Sequence, residues 1–242
     1  MLEFFKKKQV GPSKTVSEKR IKDFQEIYNS FSDDQSVDQA SRCSQCGIPY
    51  CQIHCPLNNN IPDWLKYIAE DRLEEAYEIS SSTNAFPEVC GRVCPQDRLC
   101  EGNCVVEKAG FGSITIGSLE KHITETAWEK GWIKPIVSSN KQNQKVAIIG
   151  SGPAGLAAAT YLIEYGYDVE VFEKNDRIGG LMIYGIPNFK LDKSVVIRRH
   201  EWLKESGVIF HTNCEVGKDI TFDDLEKNFD AILISTGVYK AR

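Results

Sequence analysis

Eight of the nine cysteines in this chain lie between Cys43 and Cys104, and only Cys214 stands apart. No other feature narrows the fold as far, because one segment must bury or ligate eight thiols while the rest carries almost none. Cys43, Cys46, Cys51 and Cys55 follow C-x2-C-x4-C-x3-C, with Pro56 next. Cys90, Cys94, Cys100 and Cys104 form a second group, with Pro95 after Cys94. Disulfides, zinc sites and iron–sulfur clusters all use thiols at this density, so compartment and spacing have to choose among them.

The chain opens MLEFFKKKQVGPSK, with apolar residues ahead of its charges and no long apolar stretch, unlike a signal peptide. It has no run of roughly 18 apolar residues to span a bilayer. The expectation is a cytoplasmic protein without a membrane partner, and in a reducing compartment dense cysteines point to metal before disulfides. A formal charge of −5 gives no basis for nucleic-acid binding, and Lys6 to Lys8 reads as a solvated tail.

Two zinc sites would also take eight thiolates, C-x2-C is a zinc spacing, and His54 adds an imidazole. Only one C-x2-C pair exists, however, and the x3-C-P ending is that of bacterial ferredoxins, whose fourth cysteine ligates the other cluster. Proline after a ligand cysteine fixes the chain direction and removes an N–H that would need a partner. Zinc has no redox chemistry, whereas the second half of the chain offers a redox cofactor site.

With 242 residues, 41% of them hydrophobic, the chain suits one large domain or two modest ones. Residues 1–33 read as a polar leader with a short amphipathic helix near Glu18 to Tyr28. Residues 34–134 read as a helical cysteine-rich domain. IPDWLKYIAEDRLEEAYEIS has a near-helical apolar period with a break near Asp71 and Pro62 in its first turn, and SLEKHITETAWEKG stops at Gly131. Residues 135–144 are polar and aperiodic, a linker. From Lys145 to Arg242, short apolar strands alternate with helices, as in a parallel α/β sheet. The fold class is thus a helical iron–sulfur domain followed by a partial Rossmann-like parallel-sheet domain.

VAIIGSGPAGLAAA places Gly150, Gly152 and Gly155 after a strand and at the opening of a helix, the context a dinucleotide fingerprint requires. Pro153 and Ala154 open that helix, whose free N–H groups and dipole favour a pyrophosphate. Glu173 ends the second strand, where a carboxylate takes a ribose 2′-OH and repels a 2′-phosphate, so FAD or NAD is expected rather than NADP.

GSGPAGL and FEKNDRIGG resemble the FAD-binding half of flavoproteins related to the disulfide reductases. The resemblance implies FAD held by Gly150, Gly152, Pro153, Ala154, Gly155, Glu173 and Lys174. It puts Arg177, Gly179, Gly180 and Leu181 near the flavin, and Ser235, Thr236 and Gly237 at a second contact.

CSQCGIPYCQIHCP, CGRVCPQDRLCEGNC and GSITIGSLEKHITETAWEKGW resemble the small (beta) subunits of bacterial NADPH-dependent glutamate synthase, from about Arg42 to the end of the chain. The same module resembles the N-terminal part of dihydropyrimidine dehydrogenase and subunits of ferredoxin–NADP transhydrogenases. The resemblance implies two 4Fe-4S clusters, one on Cys43, Cys46, Cys51 and Cys104 and the other on Cys55, Cys94 and Cys100. An oxygen donor at Glu120 would complete the second set, while thiolate preference favours Cys90.

It also implies a route from NADPH through FAD and the clusters to a large (alpha) subunit. There FMN would reduce the imine formed from 2-oxoglutarate and the ammonia of glutamine. No second GxGxxG-type fingerprint follows Gly155, so the chain is expected to be truncated, without its NADPH domain, and no catalytic residue is named. The alternatives are a non-catalytic electron-carrier and docking module, or a subunit of a transhydrogenase.

Overall fold

Asp71 takes a left-handed φ of 59°, and the helical run around it becomes two helices, Ile61–Ala69 and Leu73–Ser81. The computed structural model describes residues 1–238, so Tyr239 to Arg242, the last of the stretch that carries the resemblance, lie outside the described residues. It divides into two compact units, Met1–Ile133 and the chain from Lys134 onward.

The first unit is helical: α1 (Ser17–Arg20), α2 (Asp33–Ala40), α3 (Tyr50–Ile53), α4 (Ile61–Ala69), α5 (Leu73–Ser81), α6 (Pro87–Val93), α7 (Val105–Lys108) and α8 (Ile116–Glu129). Ser32 and Gln35 close a capping box on α2, Pro62 stands in the first turn of α4, and Gly131 takes a φ of 69° just after α8. Trp64, Leu65, Ile68, Leu119 and Ile123 form the core, and Cys43, Cys100 and Cys104 belong to the same apolar cluster. The buried indole of Trp64 is satisfied by Asn59 Oδ1 at 2.7 Å, and Asn59 in turn donates to the Ser80 carbonyl at 2.8 Å.

Two expectations for the leader fail. The helix predicted over Glu18 to Tyr28 shortens to the single turn of α1. Beyond it the chain pairs back on itself, with Thr15 N–H donating to Ile27 O and Asn29 N–H to Ser13 O, both at 2.9 Å. Long-range ion pairs override the local period: Glu26 meets Arg92 at 2.5 Å and Lys121 at 2.7 Å. Nor is Lys6 to Lys8 wholly a solvated tail, because Lys7 pairs with Asp38 at 2.9 Å and donates to Ser41 Oγ at 3.1 Å. Leu2 and Glu3 donate main-chain bonds to the carbonyls of Cys43 and Ser41 at 2.9 and 3.0 Å.

The second unit runs β1 (Lys145–Ile149), α9 (Pro153–Glu164), β2 (Asp168–Phe172), α10 (Leu181–Tyr184), α11 (Lys193–Glu205), β3 (Ile209–His211), α12 (Phe222–Asn228) and β4 (Ala231–Ile234). The sheet order is β3-β2-β1-β4 and every pairing is parallel, with Lys145 opposite Asp168 and Val146 opposite Ala231. Asp192 caps α11, and Thr221 with Asp224 forms a capping box on α12. Among the described residues no helix is long and apolar enough to cross a membrane.

Candidate functional site: two thiol-lined cavities and a nucleotide cradle

Gly91, between Cys90 and Cys94, lets α6 lie against the backbone of α8. A Cβ there would sit 2.7 Å from both the Gly117 carbonyl oxygen and the Lys121 nitrogen. This close approach brings Glu120, on α8, to the same cavity as Cys90 and Cys94. Cys55, Cys100, Asn59, Asn84 and Gln96 complete the polar lining of that space, whose volume is about 280 Å³. Leu57, Ile61, Trp64, Leu99 and Ile116 make its apolar walls.

Cys43, Cys46, Cys51 and Cys104 surround a second, smaller cavity, walled by Tyr50, Pro62, Leu65, Val105 and Ile114. Ile116, 2% exposed, faces both cavities. Cys51 lies within α3 and Cys55 just beyond it, yet they line different cavities. His54 lines neither; it is exposed and stacks on Tyr50. All nine cysteines are free thiols, and Cys214 packs on the sheet of the second unit.

The electrostatics of both cavities oppose ionisation in the absence of a cation. Burial, then the neighbouring Cys43, Cys104 and Cys46, push the Cys51 thiol up to about 12. Burial also raises Cys43 and Cys100, and Cys90 is raised by its hydrogen bond with Cys94 and then by burial. Glu120 is pushed up to about 8, chiefly by burial, with Cys94 and Glu88 adding to it against a hydrogen bond from Asn84. A cationic group inverts this logic, since it makes thiolate the favoured form of each ligand.

Thiols spread around a cavity suit a body of several atoms, and soft thiolates are the donors an iron–sulfur cluster takes. The donor set therefore fits iron–sulfur clusters.

In the second unit Gly150 has a φ of 102°, and a Cβ on it would stand 2.6 Å from the Ser235 carbonyl oxygen. A Cβ on Gly155 would meet Ser235 Oγ at 2.8 Å, so β1, α9 and the end of β4 meet at these glycines. Gly152, the residue before Pro153 and Ala154, faces open space at the α9 N-terminus. Thr236 and Gly237 follow β4 beside this turn, held by Ser235 Oγ donating to Ile149 O and Gly150 O at 3.1 and 3.0 Å. Gly180 abuts Gly152, Leu181 is exposed at the start of α10, and Lys174 is exposed beyond β2.

Glu173 is placed differently from the free ribose acceptor the sequence suggests. It is buried, and its carboxylate accepts from Ser151 N and Oγ at 3.1 and 2.5 Å and from Asn175 N and Nδ2 at 2.9 and 2.7 Å. Arg177 lies over the Tyr184 ring, 4.8 Å from its centroid, and its N–H donates to the Tyr184 hydroxyl at 3.0 Å. Sequence reasoning missed Ser151, Asn175 and Asn84, which act through contacts that no motif marks.

Residues 20–132 match the family model described as dihydropyrimidine dehydrogenase domain II, 4Fe-4S cluster, and residues 148–195 match a NAD(P)-binding Rossmann-like domain. The chain is 57% identical over 242 residues to the glutamate synthase (NADPH) small chain of Azospirillum brasilense, covering 100% of this chain and 50% of that one. It is 48% identical over 240 residues to its counterpart in Escherichia coli K12, covering 99% and 50%. The putative oxidoreductase AegA of the same bacterium is 45% identical over 231 residues, covering 95% of this chain and 35% of its own length. The chain spans about half the length of the curated glutamate synthase relatives it matches first. With a helical 4Fe-4S domain, a Rossmann-like parallel sheet and this similarity along its whole length, the chain belongs to the glutamate synthase (NADPH) small-chain family.

Proposed function

We propose that the chain is the electron-carrying part of a glutamate synthase small subunit, holding two 4Fe-4S clusters in residues 34–134 and FAD in residues 145–238. The observation that carries this reading is the sorting of eight thiols and Glu120 into two buried cavities. Cys43, Cys46, Cys51 and Cys104 would hold one cluster; Cys55, Cys94 and Cys100 would hold the other. Glu120 is the better fourth donor for the second, because Asn84 Nδ2 fixes its Oε1 at 3.0 Å while the Cys90 sulfur is turned to Asn84 Oδ1 at 3.7 Å. When bound, the flavin and clusters supply the exchange between hydride chemistry and single-electron transfer.

The chain's own residues bind and insulate. The α9 N-terminus and the open side of Gly152 receive a pyrophosphate, and Glu173 keeps a 2′-phosphate away. The apolar walls keep water from the thiol cavities. In the whole protein, electrons from NADPH would pass to a large (alpha) subunit with FMN. That subunit would make L-glutamate from glutamine and 2-oxoglutarate.

A second reading is a non-catalytic electron carrier and docking module with no NADPH oxidation of its own. Anaerobic analysis of iron, sulfide and flavin tests the first reading: two clusters and one FAD per chain are expected, and an iron-free protein would overturn it. NADPH-dependent dye reduction by the loaded chain separates the two, since turnover would exclude the second.

A further inference from the structure

Gln45 stands between the first two cysteines of the smaller cavity with a φ of 52°. Glycine adopts this left-handed backbone freely, and a residue with a Cβ adopts it at a cost. The turn asks for glycine, so the glutamine there calls for a reason. Its contacts supply one. The backbone N–H of Gln45 points at Cys43 Sγ at 3.5 Å, and its side-chain Nε2 reaches the same sulfur at 3.5 Å. Nε2 also donates to the Pro62 carbonyl at 2.7 Å, which anchors the amide to the start of α4. Ser44 adds a hydroxyl 3.0 Å from Cys46 Sγ. Cys43 is only 7% exposed, so water competes weakly for its sulfur.

We infer that Gln45 sets the reduction potential of the cluster held by Cys43, through two hydrogen bonds to that cysteine's sulfur. The inference rests on the two-cluster reading. Reduction places an additional negative charge on a cluster and the sulfurs that hold it. Donors aimed at a ligand sulfur stabilise the more reduced state and raise the potential. Gln45 acts through Cys43 and touches no reacting atom, which makes it a tuning and positioning residue. The left-handed turn aims the main-chain donor, and the side chain adds the second.

The test uses the chain purified anaerobically with its clusters, with potentials followed by EPR during redox titration. Gln45→Gly suits the left-handed turn, keeps the main-chain N–H and removes the side-chain donor. Gln45→Glu keeps the length and replaces the donor by an acceptor. Both variants are expected to hold as much iron as the wild type. Both should shift one cluster's potential to more negative values, Gln45→Glu further, and leave the other cluster's potential in place. Unchanged potentials in both loaded variants would overturn the inference. Loss of iron from both variants, with the wild type loaded, would also overturn it and make Gln45 a packing residue. A wild-type chain without iron would overturn the cluster reading itself, a result visible before any variant is made.

Discussion

Asn84 donates from Nδ2 to Glu120 Oε1 at 3.0 Å, joining residues 36 apart in the chain at the wall of one buried cavity. The oxygen of the same amide accepts from Phe86 N–H at 2.9 Å and lies 3.7 Å from the Cys90 sulfur. One buried amide thus holds a carboxylate in place and occupies the thiol that would compete with it. Exchanging its two ends would disturb both contacts at once.

Iron per chain reads out that arrangement. Glu120→Ala should lose about half the iron, as expected when one of two clusters lacks a ligand. Cys90→Ser should keep it all. Full occupancy in Glu120→Ala, with loss in Cys90→Ser, would reassign the fourth ligand to Cys90.

Gly91→Ala should destabilise the first unit by about 1–3 kcal/mol, the range for overpacking. Its Cβ meets the backbone atoms Gly117 O and Lys121 N, which have little room to move. The strain falls on the α6–α8 contact, so iron should be lost from the cavity of Cys94 and Glu120 before that of Cys43. Chemical denaturation of the metal-free chain gives the first quantity, and iron with EPR gives the second. A variant as stable as the wild type would show that the two helices part freely.

Acid should weaken the anchoring of the leader. Burial alone would raise Glu26, but the charges and hydrogen bonds of Arg92 and Lys121 outweigh it and hold the carboxyl below its usual range. A depressed carboxylate contributes stability that is complete above the unfolded value of about 4.3 and is lost as pH falls through the folded one. The stability of Glu26→Gln should therefore vary less with pH below about 4.3. At neutral pH the variant should be less stable by about 1.5–3 kcal/mol, the worth of a hydrogen bond to a charged group, because Arg92 keeps its pair with Glu125 at 3.0 Å. Parallel acid limbs for the two proteins would refute the assignment.

Flavin binding should depend on the buried carboxylate of the second unit. Glu173→Ala removes the acceptor for Ser151 and Asn175, which shape the turn beside Gly150 and Gly152. A charge-assisted hydrogen bond is worth about 1.5–3 kcal/mol, so FAD affinity should fall at least about tenfold. Fluorescence titration of the apoprotein measures this. An unchanged Kd would show that the carboxylate serves only the loop.

The elements that local rules govern were legible in the sequence. β1 and β4 are short, mainly apolar runs, β2 alternates polar and apolar residues, Pro62 opens α4, Gly131 and Gly166 follow α8 and α9, and Asp192 and Thr221 cap α11 and α12. The density of cysteines announced a metal problem for the same reason, since thiol spacing is a local property. What stayed hidden depends on residues far apart in the chain. Glu26 leaves its predicted helix to meet Lys121, 95 residues away, and Glu173 turns inward to Ser151, 22 residues back. Asn84, Ser151 and Gln45 carry no signature, because an amide or hydroxyl reveals its role only when its partner is known.

Ile116 lines both thiol-lined chambers, so one aliphatic side chain forms part of the wall of each. The chambers therefore behave as adjoining rooms of one dry vault. Any change in the bulk of that wall alters the distance an electron must cross and the ease with which water seeps between the rooms.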